Sequence, residues 1–153
     1  MLPAVLLALH TLAAILWIGG MFFAHMVLRP AVIPLPPEER LALWGRVFRR
    51  FFFWVWLAIA LLLVTGYALV FILFGSMAGA GLFIHLMNGI GLVMMGLYGV
   101  LFFGPYCGFR RALAAGDWST AARQQGHIRR IVTINMLLGL LTVILATGGR
   151  SFP

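Results

Sequence analysis

Four apolar stretches, at about residues 3–28, 50–74, 81–104 and 130–147, are each long enough to cross a hydrocarbon core that takes about 20 residues of helix. Lipid offers no hydrogen-bond partner to the backbone, so segments of this kind satisfy their own amides as helices. Of the 153 residues 63% are hydrophobic and 9% charged, far from the usage of a water-soluble domain. The expectation is an all-α, multi-pass integral membrane four-helix bundle. It forms a single transmembrane domain over residues 1–153, with connections at 29–49 and 105–129. The first stretch has no basic residue ahead of it and is too long for the apolar region of a signal peptide, so it reads as a mature helix.

The net charge of +8 is arginine charge, since there is no lysine. Arg29, Arg40, Arg46, Arg49 and Arg50 fall between helices one and two, and Arg110, Arg111, Arg123, Arg129 and Arg130 between helices three and four. The opposite side carries only Arg150 and the N-terminal amine, and the second connection, GSMAGAG, is uncharged. The positive-inside rule therefore predicts cytoplasmic arginine loops and extracytoplasmic termini. Topology and contact with anionic lipid account for the arginines, which excludes nucleic acid as the expected partner and leaves a phosphate-binding role as the weaker reading.

The loops carry their own punctuation. Pro36 and Pro37 stop any preceding helix and suit a new first turn, with Glu38 and Glu39 where the helix dipole favours acid. Leu41, Leu43, Trp44 and Val47, interleaved with arginines, suggest a segment lying on the membrane surface. Gly116 is placed to end one helical extension, and Asp117 or Ser119 to cap the next.

Four histidines are the residues most out of place in such a chain. His10 lies about 10 Å below the outer end of helix one, and His85, on a helix of opposite direction, is predicted at a similar depth. An imidazole in hydrocarbon costs several kcal/mol without a partner and belongs on the bundle interior. A hydrogen bond to a neighbouring helix is one solution for a single histidine; for two at matched depth, a shared metal centre is another. His25 and His127, near the opposite surface, form a weaker potential pair.

Catalytic zinc and a serine nucleophile triad both need a carboxylate that the membrane segments lack, because Glu38, Glu39 and Asp117 are on the wrong side. Haem iron with axial histidine, and copper with imidazole and thioether, remain. Asn88, Gly89, Leu92, Gly96 and Gly99 beside His85, and Ala13, Ala14 and Trp17 after His10, let helices or a flat macrocycle approach. Residues 85 and 87 lie about 200° apart on a helix, so only one of His85 and Met87 points inward, and His85 is expected to. Met21, Met26, Met94, Met95 and Met136 scatter over several faces and read as gap-filling core. Cys107 cannot form an internal disulfide and reads as inert.

Leu9 with His10, Trp17, Gly20, Phe22, Arg29 and Pro30 resemble the first helix of the CopD-like membrane proteins, named for copper resistance, and of the related haem-linked bacterial protoporphyrinogen oxidases. The resemblance continues through IHLMNGIGLVMMGLYG, with His85 and Gly96, and through GFRRALAAGDW into HIRRIVTINMLLGLL, with Asn135. It implies a four-helix bundle in the bacterial cytoplasmic membrane and, from the oxidase branch, haem b with His10 as axial ligand. Met87 departs from the lysine that the oxidases carry there, which argues against carrying porphyrinogen oxidation over.

The favoured expectation is a b-type haem protein, a candidate oxidoreductase. His10 and His85 would hold iron, Arg150 would pair with the propionates, and a quinone, porphyrinogen or redox protein would exchange one electron. Copper binding or transport through the same histidines with Met21, Met26 or Met87 is the alternative, and a non-catalytic assembly subunit the third. The spacing of Gly89 and Gly96 is compatible with a homo-oligomer.

Overall fold

The computed structural model describes residues 1–148. Four helices account for nearly all of them: α1 Leu2–Ala31, α2 Pro37–Phe74, α3 Leu82–Ala114 and α4 Trp118–Gly148, each long and apolar enough to cross a membrane. They alternate in direction, because the start of α1, the end of α2, the start of α3 and the end of α4 meet around one cavity. The arginine-bearing turns gather at the other end. α1 packs mainly on α2, and α3 on α4.

The helices run past the apolar stretches. Residues 29–49 and 105–129, read from the sequence as loops, are mostly helical, leaving residues 32–36 and 115–117 as the connections. α2 is uninterrupted over 38 residues, about 57 Å. Its Leu41, Trp44 and Phe48 therefore do not form a separate surface segment; they are buried against the extended ends of α3 and α4. Phe48 stacks on Phe52 at 5.3 Å and meets Phe109 edge-on at 5.6 Å, and the missing side chain of Gly45 makes room for Leu113. Arginines on the outward positions lower the average hydropathy and hide this apolar stripe from a window scan.

Local chemistry sets the breaks. α2 begins at Pro37 with Glu38 and Glu39 in its first turn, and ends at Gly75, whose φ of 72° is left-handed. α3 ends in a Schellman arrangement: Gly116 N–H donates to the Leu113 carbonyl (3.2 Å) and Asp117 N–H to the Ala112 carbonyl (2.9 Å), with Gly116 at φ 69°. Asp117 then accepts from Thr120 N–H at 2.9 Å and caps α4. α1 and α3 each widen to a π-turn, at Ala24–Leu28 and Phe102–Tyr106. Each turn adjoins or contains a proline, Pro30 or Pro105, which has no N–H to continue the regular ladder.

Single polar contacts tie the helices across an otherwise apolar interior. Tyr98 Oη donates to the Phe52 carbonyl (3.0 Å), joining α3 to α2, and Asn135 Nδ2 donates to the Met94 carbonyl (3.1 Å), joining α4 to α3. The large exposed apolar residues, among them Phe53, Val64, Val100, Phe103 and Leu137, form the face a bilayer would cover.

Candidate metal-binding cavity

His10 is half-buried on the face of α1 that meets α2. Its Nδ1 stands 2.9 Å from Thr65 Oγ1, and Thr65 uses its one hydroxyl proton on the Leu61 carbonyl. With that proton committed the hydroxyl is set to accept from His10, the arrangement in which Nδ1 carries the imidazole proton and Nε2 a lone pair. Gly66 makes room for the ring: a Cβ there would lie 3.0 Å from His10 Cε1 and 3.5 Å from Nδ1. A ligating histidine needs this kind of outer partner to hold its tautomer and orientation.

The ring lines a cavity of about 390 Å³ to which all four helices contribute. Met87, Met94 and Met95 reach it from α3, Met77 from the turn after α2, and Trp17, Asn88, Tyr67 and Thr142 are among its polar and aromatic lining residues. Among the described residues His10 is the one imidazole in that lining, and none supplies a carboxylate or thiol. Nor does any group of three or more His, Cys, Asp and Glu gather among the described residues. Hard-ion and zinc chemistry therefore has no ligand set here, whereas one imidazole with thioether sulphurs is a soft donor set.

The structure does not bring His85 to His10. His85 is exposed and outside the cavity, and Met87 takes the inward position expected for it. The phase of α3 is set lower down, where Met94, Tyr98 and Leu101 are buried at helical spacing. Carried one turn at a time toward residue 82, that phase turns Gly91, Asn88, Met87 and Ile84 inward and sends His85, Gly89 and Gly96 outward. Gly89 and Gly96 accordingly face open space and hold neither helix nor macrocycle within this chain. Of the remaining expected site residues, Trp17 and Asn88 do line the cavity. His25 lines a second cavity at the arginine-rich end, its Nδ1 3.5 Å from Thr133 Oγ1, while His127 is exposed and does not join it. Arg150 lies outside the described residues.

Thr65, Gly66 and Met77 are the lining residues that sequence reasoning missed, while Met94 and Met95, read as core, are packed in the core and line the cavity as well. Part of the signal was present: residues 87, 91, 94 and 95 follow the spacing i, i+4, i+7, i+8 of one helix face. The two cavities do not meet. Residues 19–23 of α1 and 53–61 of α2 line neither, a gap of about 13 Å along α2. Within it Met21 and Tyr98 are buried, Trp17 meets Tyr98 edge-on at 6.2 Å, and the tyrosine is anchored to Phe52.

No curated protein and no solved structure matches the chain. A family model described as copper resistance protein D matches residues 45–148, which include α3 and α4 entire and most of α2. The chain is therefore a multi-pass membrane protein of the CopD, copper resistance protein D, family.

Proposed function

We propose that the protein takes copper(I) as its cargo in the four-helix cavity. The observation that carries this reading is the donor set: His10, whose Nδ1 is engaged by Thr65 so that Nε2 is the nitrogen left for a ligand, and methionines on the same cavity wall, with no carboxylate among the described lining residues to favour a harder ion. Neutral imidazole and thioethers bind a monovalent ion without stranding a protein charge in the bilayer. Asn88, Thr142 and Tyr67 supply the polar atoms through which a partly hydrated ion would enter. The arginine bias supports a cavity mouth on the extracytoplasmic side. Onward movement across the membrane requires the Trp17, Tyr98 and Phe52 layer to shift, so this conformation is a loading state.

The bis-histidine haem reading has less support, because the second imidazole it needs lies outside the cavity. The electron-transfer partners that went with it lose their basis too.

Titration of purified protein with copper(I) against a chromophoric competing chelator tests the proposal. One ion per chain is expected, with His10→Ala and Met87→Leu each weakening binding by at least about tenfold and His85→Ala leaving it unchanged. A colourless protein that binds no copper(I) would overturn the reading. A Soret band lost in both His10→Ala and His85→Ala would reinstate haem.

A further inference from the structure

The second cavity, about 330 Å³ at the arginine-rich end, has a different chemistry. Arg29 from the last turn of α1, Arg40 from the first turns of α2 and Arg129 from α4 converge on it, together with His25 and Gln125. No acidic residue lines it among the described residues. Its floor is apolar: Trp44, Phe48 and Phe52 from one face of α2, with Val132 from α4. The π-turn at Ala24–Leu28 contains His25 and shifts the phase of α1 just ahead of Arg29, and such turns recur where a helix re-aims a functional side chain.

Arg40 is half-buried, with one guanidinium nitrogen 3.4 Å from the Ile33 carbonyl, and Arg29 and Arg129 are exposed beside it, so three positive charges share one cavity that an anion lying among them would neutralise. Guanidinium matches phosphate oxygens in a two-pronged hydrogen-bonding fork. We infer that this cavity binds the phosphate of an anionic phospholipid, with the head among Arg29, Arg40 and Arg129 and the start of an acyl chain along Phe48 and Phe52. Two features favour a lipid over free phosphate. The floor gives an apolar tail somewhere to lie, and the site stands where the exposed surface passes from arginine-bearing turns to the apolar bands of Phe53 and Trp54 on α2 and Phe23 on α1. Basic pockets between transmembrane helices recognise acidic head groups in this way. The role differs from the diffuse attraction exerted by Arg46, Arg49, Arg50, Arg110 and Arg111, which lie outside the cavity. It does not depend on the copper reading.

Native mass spectrometry of the full chain in detergent, with phosphatidylglycerol, phosphatidylcholine or inorganic phosphate added, provides the test. The expected result is one retained phosphatidylglycerol per chain, at least tenfold less retention of phosphatidylcholine, and no competition by millimolar phosphate. Arg40→Gln with Arg129→Gln should lower phosphatidylglycerol retention at least tenfold, while Arg46→Gln with Arg111→Gln leaves it unchanged. Matched circular dichroism and elution profiles for the two double variants exclude misfolding, and Arg40→Lys, which keeps charge but loses the fork, should fall between wild type and the glutamine variant. Equal losses in both double variants would reduce the effect to general surface charge and overturn the site. Phosphate that binds alone or displaces the lipid would overturn the lipid assignment.

Discussion

Thr65→Val is the most direct probe of how the cavity prepares its histidine. Thr65 is 2% exposed and valine nearly matches its shape, so the substitution removes the hydroxyl and leaves the packing in place. Two hydrogen bonds go with it. The one to the Leu61 carbonyl duplicates a helix acceptor already used by the backbone, and its loss costs little. The other, 2.9 Å from His10 Nδ1, is the contact that fixes the tautomer. Without it the half-buried N–H keeps only the Leu62 carbonyl within reach, and a weakened or lost partner costs up to about 1–3 kcal/mol. The imidazole can relieve the penalty by moving its proton to Nε2 or by rotating, and either change withdraws the lone pair from the cavity. Outer partners of ligating histidines are worth about 10–100-fold in metal affinity, which is about 1.4–2.8 kcal/mol and of the same size as the hydrogen-bond penalty. Copper(I) affinity measured by chelator competition should therefore fall 10–100-fold in Thr65→Val and stay within about threefold in Thr65→Ser, which keeps the hydroxyl. Wild-type affinity in the valine variant, with helicity intact, would refute the argument that Thr65 holds His10 for metal.

Other substitutions test neighbouring parts of the account. Gly66→Ala would set a Cβ 3.0 Å from His10 Cε1, so copper affinity should drop while the helical spectrum is unchanged; unaltered affinity would mean that the ring has slack. In Gly139→Ala the new Cβ would meet Ile18 Cγ1 at 2.8 Å and Met94 Cε at 3.2 Å, an overpacking expected to cost about 1–3 kcal/mol in reversible unfolding in mixed micelles. Asn135→Leu gives up one hydrogen bond to the Met94 carbonyl but also removes Oδ1, which is buried without a partner among the described residues, so stability should change by less than about 1 kcal/mol. The Asp117 carboxyl is held down, to about 2, by hydrogen bonds from the Thr120 side chain and backbone and from Ser119. A carboxyl with a lowered folded value stabilises the fold above its ordinary range near pH 4 and loses that contribution as pH falls toward 2. Thermal melts between pH 5 and 2 should show this loss in the wild type and a shallower dependence in Asp117→Asn, which caps without ionising.

Several features of the chain were legible residue by residue. Pro37, Gly116 and Asp117 mark helix ends through properties of their own backbone or side chain, and each does so in the structure. His10 and Trp17 could be singled out because an imidazole and an indole are conspicuous in an apolar run. Met94 and Met95 read as core and do pack there, but a methionine carries no sign of which cavity it also lines. His85 looked like the partner of His10 because depth can be counted along a sequence, whereas rotation about the helix axis cannot when every face is apolar.

That difference separates what the chain alone determines from what packing decides. The thickness of the bilayer acts on every segment independently, so four apolar runs sufficed for four spanning helices, and the arginine distribution sufficed to put one kind of chemistry at one end. The azimuth of each helix is a collective quantity. It follows from burying Met94, Tyr98 and Leu101 on α3 against Trp17, Phe52 and Asn135 of the other helices, contacts between residues distant in sequence. Only that packing turned Met87 toward His10 and His85 away from it, and only the antiparallel return of α2 set Thr65 and Gly66 beside the imidazole.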